Sequence, residues 1–313
     1  MLKKILLGLL AVLLVAVILT YVSYRNFSSD YTQELTKRSQ VAQTDSGPIE
    51  YIQRGTGGPY VLFLHGTPGG YDQSPADASY RLIAPSRPGY LRTPIDAGRT
   101  PEEQAKAYVA LLDALGIEEK IFVMGASGGG PSAYAFAAAY PERTLGLVQI
   151  ESLSHPMSET AEEMPSFMKD DFQSWLMMSL LTLQGPEGVV AMLIPDPANQ
   201  QRILQNEDKV AGFMNMMWST WPPSRRNAGT DNDFAQFASM SLPLASITVP
   251  TLAIHGDADT SVPLAQSQYA AEQIENFTLH VIEGADHMMP VTHEEEMGEV
   301  IEQFVVNIMS RDQ

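Results

Sequence analysis

The stretch 121–140 constrains this chain more than any other. Ile121-Phe122-Val123-Met124 is a short apolar run, Gly125-Ala126-Ser127-Gly128-Gly129 follows at once, and an alanine-rich segment, 133–140, comes after it. That order predicts a buried strand, a very tight turn and a helix. A turn that tight brings neighbouring backbone so close to the flanking positions that side chains there would collide, which accounts for the glycines. A serine held in it points Oγ outward, and the helix N-terminus behind it favours developing negative charge. Pro131 suits the first helical turn, where its missing N–H costs nothing. In a plain glycine-rich loop Gly-x-Ser-x-Gly would mean little. Between a strand and a helix it makes Ser127 a candidate nucleophile.

The beginning of the chain sets the compartment. Residues 5–24, from Ile5 to Tyr24, carry no charge. Twenty residues at about 1.5 Å each match a hydrocarbon core roughly 30 Å thick. Lys3 and Lys4 precede the run and favour an N-terminus inside the cytoplasm, while Tyr21 and Tyr24 suit the far interface. A cleavable signal peptide is the rival reading, but no small-x-small cleavage site follows. The segment 1–24 is therefore expected to be a membrane anchor, with secretion after signal cleavage as the alternative. Both put the body of the protein outside the cytoplasm. Residues 25–47 are polar, lack a sustained apolar period and read as a linker.

From 48 onward short apolar runs end in turn residues. Strands are expected at 49–53, 60–64, 80–84, 145–150, 250–254 and 277–282. A helix should start at Thr100-Pro101-Glu102-Glu103, with a Thr cap, Pro in the first position and Glu at the third, and stop at Gly116. Further helices fit 264–274 and 294–310. Strands alternating with helices predict an α/β fold, a mostly parallel sheet covered on both faces, with reactive groups beyond the carboxyl ends of the strands.

The rhythm stops between Glu151 and Ile247. This stretch holds all three tryptophans, Trp175, Trp218 and Trp221, and most of the methionines. Helices are expected at about 160–184, 186–194, 197–218 and 231–240. An adaptable methionine-rich interior suits an ordinary helical subdomain, and equally a cap lining an apolar pocket. The division that follows is a core of 48–151 and 246–313, interrupted by a helical cap of 152–245.

Composition excludes several chemistries. Lys and Arg number 19 against 37 Asp and Glu, a formal charge of −18, so long-range repulsion opposes nucleic acid or an anionic surface as partner. There is no cysteine, hence no disulfide and no thiolate nucleophile. The six histidines show no His-Glu-x-x-His and no ligand-like clustering, so no metal site is expected.

A serine nucleophile needs a base, and the base needs an acid. His287, in Glu283-Gly284-Ala285-Asp286-His287 just past the last expected strand, is the best placed histidine. His255 precedes Gly256-Asp257 and reads as structural; His155, His280 and His293 read as incidental. The acid should come from a neighbouring strand end, where Asp257, Asp259 and Glu151 all qualify and spacing does not separate them. A tetrahedral intermediate needs N–H donors, and the backbones of Gly128 and of Thr67, in the turn after 60–64, are the candidates.

Taken in order, His65-Gly66-Thr67-Pro68-Gly69, Ser86-Arg87-Pro88-Gly89-Tyr90, Gly125-Ala126-Ser127-Gly128-Gly129, Gly256-Asp257-Ala258-Asp259-Thr260-Ser261-Val262-Pro263 and Gly284-Ala285-Asp286-His287 resemble the signature turns of the α/β-hydrolase superfamily across about 48–313. The resemblance implies an α/β-hydrolase fold with an inserted helical cap. It implies Ser127 as nucleophile, His287 as base, Asp259 rather than Asp257 as acid, and Thr67 and Gly128 as oxyanion donors. Glu151 stays as an alternative acid, because some members carry theirs after that strand. A serine at the elbow departs from the dehalogenase and epoxide hydrolase branches, which use Asp. The proline iminopeptidase branch shares a similar His-Gly-x-Pro-Gly-Gly turn but usually has Trp where this chain has Gly128.

The expected function is that of a membrane-tethered serine hydrolase. It would cleave an ester-type bond of a small molecule with an apolar part, through an acyl-enzyme and without a cofactor. Two alternatives stand beside it. One is an aminopeptidase whose cap residues Glu159, Glu162 and Glu163 hold a free amine; the other is a non-catalytic binding module on the same fold.

Overall fold

A computed structural model describes residues 1–75, 79–157 and 166–311. Its centre is an eight-stranded sheet. The strands are β1 (Gln40–Thr44), β2 (Gly47–Arg54), β3 (Tyr60–Leu64), β4 (Arg81–Pro85), β5 (Ile121–Ala126), β6 (Thr144–Ile150), β7 (Thr251–Gly256) and β8 (Phe277–Ile282). Their spatial order is β1-β2-β4-β3-β5-β6-β7-β8. The pairs from β4 to β8 are parallel, and β1–β2 and β2–β4 are antiparallel. Ile121, Phe122, Val123 and Leu62 are fully buried, as a near-continuous apolar strand covered on both faces requires. Because parallel strands share one direction, the turns after β3, β5, β6, β7 and β8 collect along one edge.

Helices α2 (Pro101–Ala114) and α3 (Gly130–Ala139) cover one face, and α11 (Glu294–Met309) packs on the other. The start of α2 is the expected capping box: Thr100 Oγ1 accepts from Glu103 N–H, and the Glu103 carboxylate accepts from Thr100 N–H. Short helices α9 (Ala265–Gln273) and α10 (Met289–Thr292) complete the core.

Between β6 and β7 the chain leaves the sheet for α4 (Asp171–Thr182), α5 (Gly185–Leu193), α6 (Pro197–Leu204), α7 (Glu207–Trp218) and α8 (Asn227–Phe237). The single helix expected over 197–218 is broken at Asn206, whose side chain caps α7 by accepting from Asp208 and Lys209 N–H. The start of the helix expected from 160 lies outside the described residues, as do Glu159, Glu162 and Glu163.

The largest correction concerns 25–47, which is not a linker. The N-terminal helix α1 runs unbroken from Leu2 to Arg38, and Gln40–Thr44 forms the edge strand β1. Its anchoring residues, Tyr24, Phe27, Tyr31 and Leu35, recur at intervals of three, four and four, one face of a helix, set among polar neighbours that dilute the signal. Phe27 and Tyr31 pack into a cluster with Trp175 and Trp221, and the Tyr31 hydroxyl donates to Trp218 C=O at 2.9 Å. Leu35 enters the core beside Ile52 and Tyr71, and Ser39 Oγ donates to Glu50 at 2.6 Å. A strand on the sheet edge needs apolar character on one face at most, so β1 leaves a weak sequence signal.

Candidate active site

Ser127 stands directly after β5 with φ 50°, a left-handed conformation that a side chain adopts only at a cost. The glycines around it are there for space. A Cβ on Gly125 would sit 2.8 Å from the Ala133 methyl and 2.9 Å from the Gly130 Cα, and one on Gly129 would run into Leu64 C=O. Strand, turn and helix are thus pressed together, and the half-buried Ser127 side chain projects at the sheet edge.

His287 reaches Ser127 from the loop after β8. Its Nε2 lies 3.0 Å from Ser127 Oγ, and its Nδ1 lies 2.7 Å from Asp259 Oδ2. With Nδ1–H donated to the carboxylate, Nε2 is left as acceptor for the serine hydroxyl. Asp259 is buried and fixed by its other oxygen, which accepts from the N–H groups of Ser261 at 2.8 Å and Val262 at 2.9 Å. Asp257, two residues earlier, is exposed and accepts from Gly284 N–H at 2.7 Å, lacing the β7 loop to the β8 loop. So of the two aspartates that spacing left equal, only Asp259 meets His287. His255 is internal to the scaffold: its ring nitrogens engage Ser267 Oγ at 2.7 Å and Val262 C=O at 2.8 Å.

Glu151 is close but not bonded. Its Oε2 lies 3.8 Å from His287 Nδ1, and it is 2% exposed with φ 47°. Burial, with the charges of Asp259 and Asp286, pushes its carboxyl well above the usual range, opposed by a hydrogen bond from Gly256 N–H. A group so placed favours its neutral form. The facing ligand atoms of Glu151, Asp259 and His287 lie within 4.8 Å of one another, a spacing that could hold a cation. The direct His287–Asp259 hydrogen bond already accounts for that closeness.

The turn after β3 faces the serine. A Cβ on Gly66 would lie 3.3 Å from Ser127 Cβ, and one on Gly128 would collide with the Thr67 side chain. Thr67 and Gly128, the expected oxyanion donors, are therefore neighbours. His65, behind them, is buried; burial and the Arg87 charge hold its pKa well below the usual range. The neutral ring donates from Nδ1 to Gly66 C=O at 2.8 Å and accepts Arg87 N–H at Nε2 at 2.9 Å.

The residues that fasten this turn were not foreseen in that role. Arg87, 1% exposed, donates from Nε to His65 C=O at 2.8 Å and from Nη2 to Thr67 Oγ1 at 2.9 Å. Both of its Nη atoms also reach Asp233 of α8, and the Tyr90 hydroxyl donates to the same carboxylate. Thr67 Oγ1 donates to Asp233 as well. A second ion pair, Arg226 Nη2 to Asp72 Oδ2 at 2.8 Å, ties the start of α8 to the same region, and Arg226 Nη1 caps Gly69 C=O. Ser86-Arg87-Pro88-Gly89-Tyr90 was visible as a turn. Asp233 sits in a helix without any motif, and nothing local distinguishes it from Asp231.

A family model described as alpha/beta hydrolase fold matches residues 59–294. An alpha/beta hydrolase fold protein from Nakamurella multipartita is similar in structure, with TM-score 0.77 and 33% identity, covering 85% of this chain and 97% of its own. The 2-hydroxymuconate semialdehyde hydrolase of Pseudomonas putida is 29% identical over 256 residues, 78% of this chain and 86% of the relative. A membrane phospholipase A, described as a bacterial virulence factor, matches with TM-score 0.63 over 98% of this chain and 99% of its own, at 22% identity. At that identity the likeness is one of fold.

Proposed function

The chain belongs to the alpha/beta hydrolase fold family, and from that premise we propose that it is a hydrolase of the esterase type, a membrane-anchored serine esterase working through an acyl-enzyme. The observation that carries this reading is the hydrogen-bonded chain Ser127–His287–Asp259, at 3.0 and 2.7 Å. Ser127 Oγ attacks the ester carbonyl as His287 Nε2 takes its proton, and Asp259 holds the ring and supports the imidazolium. The N–H groups of Gly128 and Thr67 receive the oxyanion, and Arg87 and Asp233 keep the Thr67 turn in place. His287 then protonates the leaving alcohol. A water, deprotonated by the same ring, releases the acid. No step needs a cofactor.

The anchor reading is supported by α1, whose apolar window has mean hydropathy 3.0 and no residue buried against the rest of the chain. A helix apolar on every side is at home in lipid rather than water. Lys3 and Lys4 at its start favour a catalytic domain outside the cytoplasm. Helices α4 to α8 act as the cap, joined to the site through Asp233 and Arg226.

A serine-directed fluorophosphonate is the test of the nucleophile. Wild type should label and Ser127→Ala should not; equal labelling would sink the assignment. A panel of acyl esters, aminoacyl amides and a ring-cleavage dienoate then sets the bond cleaved. Turnover confined to the amides would replace the esterase with a peptidase.

A further inference from the structure

Exposed apolar side chains are concentrated in two places. Among the described residues they line α1 as far as Val22, and they gather again on α4, α5 and the bend between them: Leu180 is 55% exposed, Leu183 81%, Met192 57% and Leu193 44%. From Phe172 to Leu193 the only charged side chain is Glu187. The two helices bend by 115° against each other and together are as apolar as a membrane segment. Two shallow hollows of about 350 and 330 Å³ meet at Gln184, the second walled by Leu176, Met177, Leu180 and Leu181.

The position of this hairpin relative to α1 says what covers it. If 5–24 crosses the hydrocarbon, Tyr21 and Tyr24 stand at its outer edge. Those same rings touch α4: Tyr21 lies 6.3 Å from Phe172, and Tyr24 lies 5.2 Å from Phe172 and 5.4 Å from Trp175, centroid to centroid. No spacer separates the end of the span from the hairpin. Phe27 continues the contact to Trp218 and Trp221 at 4.9 and 5.2 Å, so the helix is clamped and cannot hold the hairpin away from the surface. The inner face of α5 leads toward the reacting groups. Val189 and Val190 pack with Val291 and Met288, the residue after His287.

We propose that the α4–α5 hairpin is a second membrane contact, its outer face seated at the headgroup–acyl boundary of the leaflet from which α1 emerges, and that the ester hydrolysed is a lipid drawn from that leaflet. The proposal rests on the anchored-esterase reading above. The hairpin carries no basic side chain and the chain's net charge is −18, so nothing in it attracts an anionic surface; it is held by apolar insertion and suits a zwitterionic lipid.

Because the chain has no cysteine, single reporters can be placed anywhere. Leu183→Cys and, for comparison, Val306→Cys on α11 would carry an environment-sensitive fluorophore in the full-length protein, one copy per phosphatidylcholine nanodisc. Nitroxide-bearing lipids should quench the Leu183 label and blue-shifted emission should mark its burial, with neither effect at Val306. Equal quenching at both sites overturns the docking, and so does protection that appears only with two copies per disc, which would make the hairpin a contact between chains. In a second arm, Leu180→Asp combined with Leu183→Asp should cut turnover of a bilayer-resident phosphatidylcholine by about tenfold or more while sparing a short water-soluble ester. Equal turnover of the lipid by variant and wild type overturns lipid entry through the hairpin. Quenching does not require Ser127 to react, so a failure of catalysis and a failure of docking read out separately.

Discussion

At the sheet edge, Ser127, Asp259 and His287 follow the ends of β5, β7 and β8 within a few residues, and each is aimed by its own turn. In the helical insertion the decisive side chains are held differently. Asp233 lies mid-helix and is fixed by Arg87, Tyr90 and Thr67, all more than a hundred residues earlier. Arg226 depends in the same way on Asp72 and Gly69. The first region is positioned by backbone and the second by buried charge. They meet at Thr67, where a turn of the sheet edge is clamped from the insertion.

If the sheet-edge groups are positioned by local backbone, removing their chemistry should leave the fold intact. Ser127→Ala and Asp259→Asn are each expected to lower kcat by about 10⁴-fold or more, because a triad acts as a unit. Asn at 259 keeps an oxygen for the Ser261 and Val262 N–H groups, so the melting temperature should move little. Esterase turnover with matched thermal melts checks both statements. A large loss of stability in either variant would break the contrast, and a greater loss of turnover in Glu151→Gln than in Asp259→Asn would move the acid to Glu151.

The clamp should respond the other way. Asp233→Ala strands the Arg87 guanidinium, 1% exposed, without its counter-charge, and losing one partner of a buried pair costs about 3–5 kcal/mol. Asp231→Ala, in the same helix, removes only an exposed pair with Lys169 and should cost no more than about 1 kcal/mol. Denaturant titration of the two variants separates them. Residual folded Asp233→Ala should also show a reduced kcat with little change in KM, since the Thr67 turn serves the oxyanion rather than the ground state. Equal stability of the two variants would remove the clamp from the account.

The same contrast explains what could be read in advance. The strand ends, the capping box at Thr100, and the placing of Ser127 and His287 depend on residues adjacent in sequence, and they left glycines, caps and apolar runs to see. Asp259 parted from Asp257 only through resemblance or coordinates, because both follow β7 and only orientation tells them apart. Of the clamp, Arg87 and Tyr90 show only as parts of a turn, and Asp233 is an ordinary residue until the fold pairs it with them. The stretch 24–38 is different: Tyr24, Phe27, Tyr31 and Leu35 lie on one helical face at intervals of three, four and four, a sparse signal among polar residues whose partners Trp175, Trp218 and Trp221 only the fold supplies.

That stretch gives the next test. Phe27→Ala removes ring contacts to Tyr31, Trp175, Trp218 and Trp221 from one site. Truncation of a partly buried aromatic of this kind is expected to cost about 1–3 kcal/mol. The loss should appear as faster proteolysis within 25–38 in detergent while soluble-ester turnover persists, because α1 touches no reacting group. Unchanged proteolysis would mean that Tyr24, Tyr31, Leu35 and Ser39 hold the helix without Phe27.

Glu151 belongs to the sheet edge yet behaves like the insertion, a buried titratable group whose state is set by neighbours far away in sequence. Burial and the charges of Asp259 and Asp286 raise its pKa from 4.5. The native state therefore binds a proton more tightly than the unfolded chain, and this contribution to stability is complete below about pH 4.5. As pH rises toward the native pKa, the unfolded chain gives up its proton first and the contribution drains away. Glu151→Gln keeps the shape and abolishes the titration. The variant should match wild type in denaturant midpoint near pH 4 and gain on it steadily at higher pH, while ester turnover changes by less than about tenfold, since His287 takes its hydrogen bond from Asp259. Midpoints measured at several pH values decide it. A constant gap between the two proteins would mean that Glu151 is ionised in the native state and contributes as an anion beside Asp259.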